Sequence, residues 1–414
     1  MRLSIVIILA SLAFSCGNAK TGDKTTPQQG IEQKENSKTS GSLKTLDDIV
    51  FQIPDVKKPV VLFFDAQAEG TQFLNRYGEI FRELNIGIVA SNKYRNGISS
   101  DEAGQILQQM MQAAQTQGAD MQKIYLMGFS GGGKFAQNLA EILPNVKSVI
   151  TMGIGRAHMH RGRVPEVNII GVNDMNFRQA VMYPLSGNYS KPDMVLLHGK
   201  GHEWAPKELV SYTFTYCLSG FNSEDIQLPA QADTYVNKLN IALNRFDRGN
   251  ERVAQERLNE LLMDELQKEQ QWLSKFQSMF QSTHFGAWSD LFEQLNKEEK
   301  NEHIKSRVTG FLSMINYVMT EKYIEQGLTE KVNEQLKIYK LIDPENNDIL
   351  LLTALNLSKQ GNNDEAMSYI SKAIEQGFAN YQKLYYMKYP EELSKREDFV
   401  LTLNQIYQER EIAN

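Results

Sequence analysis

Gly128, Phe129, Ser130, Gly131 and Gly132 are the residues whose types and spacing could do chemistry. They follow the apolar run 124–127 and precede a helix-compatible run over 134–143, so the pattern predicts strand, tight turn and helix. A serine on such a turn, with glycine two residues before and after it, stands clear with its hydroxyl at the strand end. A Cβ at either glycine would strike the neighbouring strand or helix. The chemistry on offer is nucleophilic attack, with the unpaired amides of the helix start facing any negative charge that develops. The run Gly131, Gly132, Gly133, Lys134 also suggests a phosphate loop, but that motif needs a hydroxyl after the lysine and Phe135 stands there.

A serine hydroxyl is inert without a base to take its proton and an acid to orient that base. Asp174 lies two residues after the apolar run 167–172, at the carboxyl end of an expected strand, where it would also suit a helix cap. Asp193 begins a strand and so lies at the wrong end of a sheet. His202 sits in the loop 199–204 that leaves the run ending at Leu197, and His198 ends that same strand.

The elements that must position these groups come from the hydrophobic pattern. Continuous apolar runs at 59–64, 86–90, 124–127, 146–152, 167–172 and 194–197 read as strands covered on both faces. Helical stretches alternate with them at 73–84, 101–117, 134–143 and 206–218, and Ser99 with Glu102 has capping-box spacing. The alternation predicts a doubly wound, mostly parallel α/β sheet over 43–220, with ligands bound beyond the carboxyl ends of its strands. After Gly220 the strands stop. An all-α region follows, a helical domain over 221–330 with helices at 234–246, 251–280, 288–295 and 304–323, then helical repeats over 331–414. The stretch 348–378 resembles a tetratricopeptide unit, with Ala354, Leu357, Ala366, Ile370 and Ala373 at that motif's small and large positions.

Taken in order, Gly128-Phe-Ser-Gly-Gly, Gly171-Val-Asn-Asp174 and Gly201-His-Glu-Trp204 resemble the α/β-hydrolase superfamily, especially its secreted esterase and polyhydroxyalkanoate-depolymerase-like branches. The resemblance covers roughly 47–220. It implies Ser130 as nucleophile, His202 rather than His198 as general base and then acid, and Asp174 as the orienting carboxylate. The family usually shows His-Gly after its third strand, where this chain reads Phe64, Asp65, Ala66, Gln67, Ala68, Glu69, Gly70. The backbone amide of Ala66 or Gln67, beside that of Gly131, would then complete an oxyanion hole, and the Asp65 and Glu69 carboxylates are expected to repel the charge forming there. Tyr94, Arg95 and Asn96, together with Arg156 and Arg161 in the loop 155–163, are candidates for substrate contact. His158 and His160 in that loop lack the carboxylate or cysteine company of a metal site, so no metal and no cofactor is expected.

The chain has 414 residues and a formal net charge of -6, which argues against a nucleic-acid-binding surface. Arg2 precedes an apolar run over 5–10, too short to span a bilayer but suited to an export signal. Ala13, Phe14 and Ser15 before Cys16 resemble a bacterial lipoprotein signal, which implies a signal peptide over 1–15, acylation of Cys16 and a polar tether over 16–42. Cleavage after Ala19 is the other reading. Cys217, then without a disulfide partner, is expected to be a buried small apolar residue.

The expected protein is an exported, lipid-anchored serine hydrolase of the cell envelope, cleaving an ester or amide bond in a small molecule or polymer. One alternative is a catalytically silent hydrolase fold whose helices bind a protein partner; another is a prolyl-oligopeptidase-type peptidase without its propeller.

Overall fold

The computed structural model describes residues 48–55, 57–155, 163–185, 193–197, 199–220, 251–280 and 282–412. The signal, lipidation and tether readings over 1–42, with Cys16, lie outside the described residues, as do Arg156, His158, His160, Arg161, His198 and the helix expected over 234–246.

Among the described residues seven strands form one sheet: β1 (Ile49–Gln52), β2 (Val60–Asp65), β3 (Gly87–Ser91), β4 (Ile124–Phe129), β5 (Val146–Met152), β6 (Glu166–Gly171) and β7 (Asp193–Leu197). Their order is β1-β3-β2-β4-β5-β6-β7. Every neighbouring pair is parallel except β1 with β3. The alternation of side chains along β2 feeds two cores at once. Val61 and Phe63 pack on one face with Phe73, Tyr77 and Phe81 of α1 (Gly70–Glu83) and Phe214 of α5 (Lys207–Leu218). Val60, Leu62 and Phe64 pack on the other with Ile106 and Met110 of α2 (Ser100–Thr116) and Leu139 of α3 (Gly131–Ile142). Both faces are therefore covered, which is why the strands read as unbroken apolar runs. This is the doubly wound, mostly parallel α/β sheet that the strand-helix alternation predicted. Cys217 is buried in the first core, as expected of a small apolar residue. Two elements were not expected: β1, with three partly buried residues and an exposed Phe51, and α4 (Phe177–Leu185) after β6.

The helical region contains α6 (Glu251–Gln277), α7 (Phe285–Glu298), α8 (Glu302–Glu325), α9 (Thr329–Ile342), α10 (Asp348–Lys359), α11 (Asn363–Glu375), α12 (Tyr381–Tyr386), α13 (Glu391–Ser394) and α14 (Glu397–Ile412). Ala354 on α10 and Ala366 and Ala373 on α11 are buried in one cluster, small side chains that let the two helices approach closely. Helices α8 and α9 enter both that cluster and a second one around Trp272, Phe276 and Trp288, so the apolar packing runs across residue 330 without a break. The helices also join the sheet. Leu262 and Leu266 of α6 pack with Ile170, Val172, Phe177, Val181 and Leu196.

Candidate active site

Ser130 sits between β4 and α3 with φ +52° and ψ -125°, a conformation that costs a residue with a side chain roughly 1–3 kcal/mol. Hydrogen bonds on both sides hold it there. Its N–H donates to Met152 O at the end of β5 (2.9 Å), and its carbonyl accepts from Gly133 and Lys134 in the first turn of α3 (3.0 and 3.3 Å). A Cβ on Gly132 would overlap the Phe64 carbonyl of β2, and one on Gly128 would overlap the backbone of Gly132. Only glycine lets strand and helix come this close.

His202 Nε2 lies 3.0 Å from Ser130 Oγ, and its Nδ1 lies 2.9 Å from Asp174 Oδ2. A carboxylate can only accept, so Nδ1 carries the proton and Nε2 is free to accept from the serine hydroxyl. Asp174 is fully buried in the turn after β6, and its second oxygen accepts from Asn176 N (2.7 Å). One carboxylate thus caps its own turn and holds the imidazole. The His202 ring rests on Phe129, 4.8 Å between centroids. Gly171 leaves room for the histidine loop to cross the end of β6, where a Cβ would overlap the carbonyls of Lys200 and Gly201.

The other side of Ser130 is formed by the loop after β2. Gly131 is the first residue of α3, and Ala66 directly follows β2. Gln67 is a correction to the expected oxyanion donors: its N–H already donates to Asp65 Oδ1 at 2.6 Å. Asp65 is 1% exposed and also accepts from Trp204 Nε1 (3.2 Å). Burial pushes its carboxyl up to about 6, against the opposing pull of the Gln67, Trp204 and Glu69 N–H groups and of nearby His202. Glu69 accepts from Asn380 Nδ2 at 2.5 Å. Both carboxylates expected to repel an oxyanion are engaged in these contacts.

Tyr94, a candidate for substrate contact, lies beside the elbow. It is buried, stacked on Phe135 (4.7 Å) and edge-on to Phe64 (5.4 Å), with its hydroxyl 3.5 Å from Gly131 O. It packs against the elbow at Gly131. The Asn96 side chain lies against Gly131. Arg95 lies over the Tyr386 ring and pairs with Glu102, and Arg163 donates to the carbonyls of Glu141 and Leu143 at the end of α3.

Sequence reasoning missed the residues of the helical region that grip this rim. Arg307 on α8 is buried, donates to Val172 O (2.9 Å), pairs with Glu269 (2.7 Å) and Glu265 (2.6 Å), and lies over the Phe177 ring. Burial pushes the Glu269 carboxyl up, opposed by Arg307. His303 Nδ1 is 2.7 Å from Asn173 Oδ1, one residue before Asp174. Across the site, Asn380 donates to Gln67 Oε1 (3.0 Å) as well as to Glu69, and Tyr386 donates to Asn92 O (2.9 Å). In the sheet order β2 and β3 lie on one side of β4 and β6 on the other, so the helices hold the rim on both sides of Ser130. A signal was present: Arg307 shares a helical stripe with Ile304 and Val308, and Glu269 one with Leu262, Leu266 and Leu273. Charges at core positions require partners.

No protein-family model matches the chain, and no curated protein matches it in sequence. Among solved structures it is similar to the Est1E protein of Butyrivibrio proteoclasticus, at 13% identity and a TM-score of 0.34, over 42% of this chain and 93% of that one. The carboxylesterase EstE1 from a metagenomic library aligns at 12% identity and a TM-score of 0.35, over 42% of this chain and 84% of that one. An alpha-beta serine hydrolase homologue from Coxiella burnetii aligns at 16% identity and a TM-score of 0.30, over 37% of this chain and 82% of that one.

Proposed function

We propose that the chain is a serine hydrolase that cleaves an ester or amide bond through an acyl-enzyme. The supporting observation is the continuous hydrogen-bond relay Ser130 Oγ, His202, Asp174, at 3.0 and 2.9 Å. As Oγ bonds to the substrate carbonyl carbon, its proton passes to His202 Nε2, and Asp174 stabilises the imidazolium. The amides of Gly131 and Ala66 receive the oxyanion. His202 then gives its proton to the departing alcohol or amine as the carbonyl C–O or C–N bond breaks. Water, deprotonated by the same nitrogen, attacks the acyl-serine, and as the bond from Oγ to the acyl carbon breaks the His202 proton returns to Ser130 Oγ and the acid is released. A fluorophosphonate probe should label the wild-type chain and leave Ser130→Ala untouched. Turnover of p-nitrophenyl acetate should fall by roughly 10³ to 10⁶ in Ser130→Ala or His202→Ala. A folded wild-type chain that takes no label would overturn the reading.

The same proposal places the enzyme in the cell envelope, exported and lipid-anchored at Cys16, on the strength of Arg2, the apolar run 5–10 and the residues before Cys16. Mass spectrometry of the mature N-terminus tests it. A diacylated Cys16 supports the anchor, and a soluble chain starting at Lys20 rejects it.

A further inference from the structure

Asp65 ends β2 beside Phe129, the residue before Ser130, in the parallel register of β2 and β4. Its two oxygens serve two different loops. Oδ1 accepts from Gln67 N in the loop after β2, and Oδ2 accepts from Trp204 Nε1, two residues beyond His202 in the loop after β7. The Trp204 ring is set among Phe63, Phe73, Tyr77 and Phe129, so holding the indole N–H fixes the course of the chain from His202 onward. Among the described residues, the titratable and polar groups facing this carboxyl are His202 and Trp204 from the loop after β7, Tyr94 from the loop after β3, and the Gln67 and Glu69 amides of its own turn.

We propose that Asp65 is a positioning residue for the hydrolysis proposed above: its ionised carboxylate ties the loop bearing His202 to the loop bearing the Ala66 amide, and protonation releases the histidine loop. The inference rests on that functional reading only for its catalytic consequence. A carboxylate accepts hydrogen bonds at both oxygens, whereas a neutral carboxyl must donate from one of them. The Gln67 bond is the shorter of the two, so the proton settles on Oδ2, where it meets the Trp204 N–H as donor against donor. Trp204 then loses its partner, and the loop before it loses its tie to β2.

Burial brings this change into an accessible range, because the carboxyl is pushed up to about 6. The native state keeps a proton that the unfolded chain loses in the ordinary carboxylate range. This group's stabilisation is therefore fully present at low pH and fades as pH rises through about 6. The tie between the loops forms over the same window. Stability and site order thus move in opposite directions with pH at this residue, as expected where a buried group is kept for function.

The test uses tryptophan fluorescence of the full chain between about pH 4 and pH 8, with fluorophosphonate labelling rates measured in parallel. Wild type and Ser130→Ala should both show a fluorescence step centred near pH 6, absent from Asp65→Asn and from Trp204→Phe. Labelling at neutral pH should slow by about 10-fold to 100-fold in both variants, the size of loss that comes from misplacing a reacting group by about an ångström. Should Asp65→Asn fail to fold, Trp204→Phe keeps the carboxylate and carries the same expectation. A flat wild-type titration, a step that survives Asp65→Asn, or unchanged labelling in Trp204→Phe overturns the proposal. A step at pH 6 in a wild-type chain that takes no label supports the tie and overturns the hydrolase reading instead.

Discussion

Ser130 and the loop that carries Asp174 are fixed in different ways. The main chain of Ser130 is held by other backbone: the carbonyl of Met152, the amides of Gly133 and Lys134, and the glycines that let β2 and α3 touch. The Asp174 loop and the Ala66 loop are also held by side chains from the helical region, Arg307 and His303 on one and Asn380 on the other. The first kind of hold is complete once β4, the turn and α3 have formed and β2 and β5 have paired with β4. The second joins residues 130 and 135 positions apart for His303 and Arg307, so that part of the site is assembled only when the helices have folded and docked. The helical region is thereby a structural component of the rim.

The comparison breaks most sharply at Arg307. Replacing it by Met leaves Glu269 buried without its ion-pair partner, with only the Arg178 charge acting on it, and the Val172 carbonyl without its donor. Removing one member of a buried pair costs about 3 to 5 kcal/mol, so the urea midpoint of Arg307→Met should fall steeply, with labelling of the folded fraction slowed as well. A loss under about 1 kcal/mol would mean that the pair is solvated and that the helices do not hold the acid loop.

These two kinds of hold explain what could be read in the sequence. The Ser130 turn was legible because local geometry forces glycine at 128 and 132, and the parallel strands because both of their faces are covered. The places of Asp174 and His202 could be anticipated because strand ends and the loops after them are marked by the apolar runs. The Gln67 amide was misjudged because the turn after β2 brings the Asp65 carboxylate, two residues earlier, onto it, and the setting of Tyr94 was illegible because it is made by side chains distant in sequence. Gln67 lost its amide to Asp65, and Tyr94 was drawn against the elbow by Phe64 and Phe135. The grip of α8 and α12 on the rim had no local signature beyond misplaced charges on apolar stripes.

On the opposite rim the expected effects are smaller. Asn380→Ala removes the donor to Gln67 and Glu69 and also the acceptor for Lys383 N at the start of α12. The cost should be about 1 to 2 kcal/mol of stability. If the helices position the Ala66 loop, kcat for p-nitrophenyl acetate should fall severalfold while KM changes little, because an oxyanion donor acts in the transition state. An unchanged kcat would confine the role of α12 to stability.

The finest distinction is at Tyr386, whose hydroxyl donates to Asn92 O while Arg95 lies 4.2 Å from its ring centroid. Tyr386→Phe removes one hydrogen bond and keeps the aromatic face, so about 0.5 to 1.5 kcal/mol should be lost. Tyr386→Leu removes the cation-π contact too, worth about a further 0.5 to 1 kcal/mol at a partly exposed site. Both contacts fall on the loop after β3, one strand further from Ser130 than the loop held by Asn380. Neither substitution should therefore slow labelling of Ser130 in the folded protein by more than about twofold. A larger loss would mean that α12 acts on the nucleophile through Asn96 and Gly131, and that the elbow is held by distant side chains as well as by its own backbone.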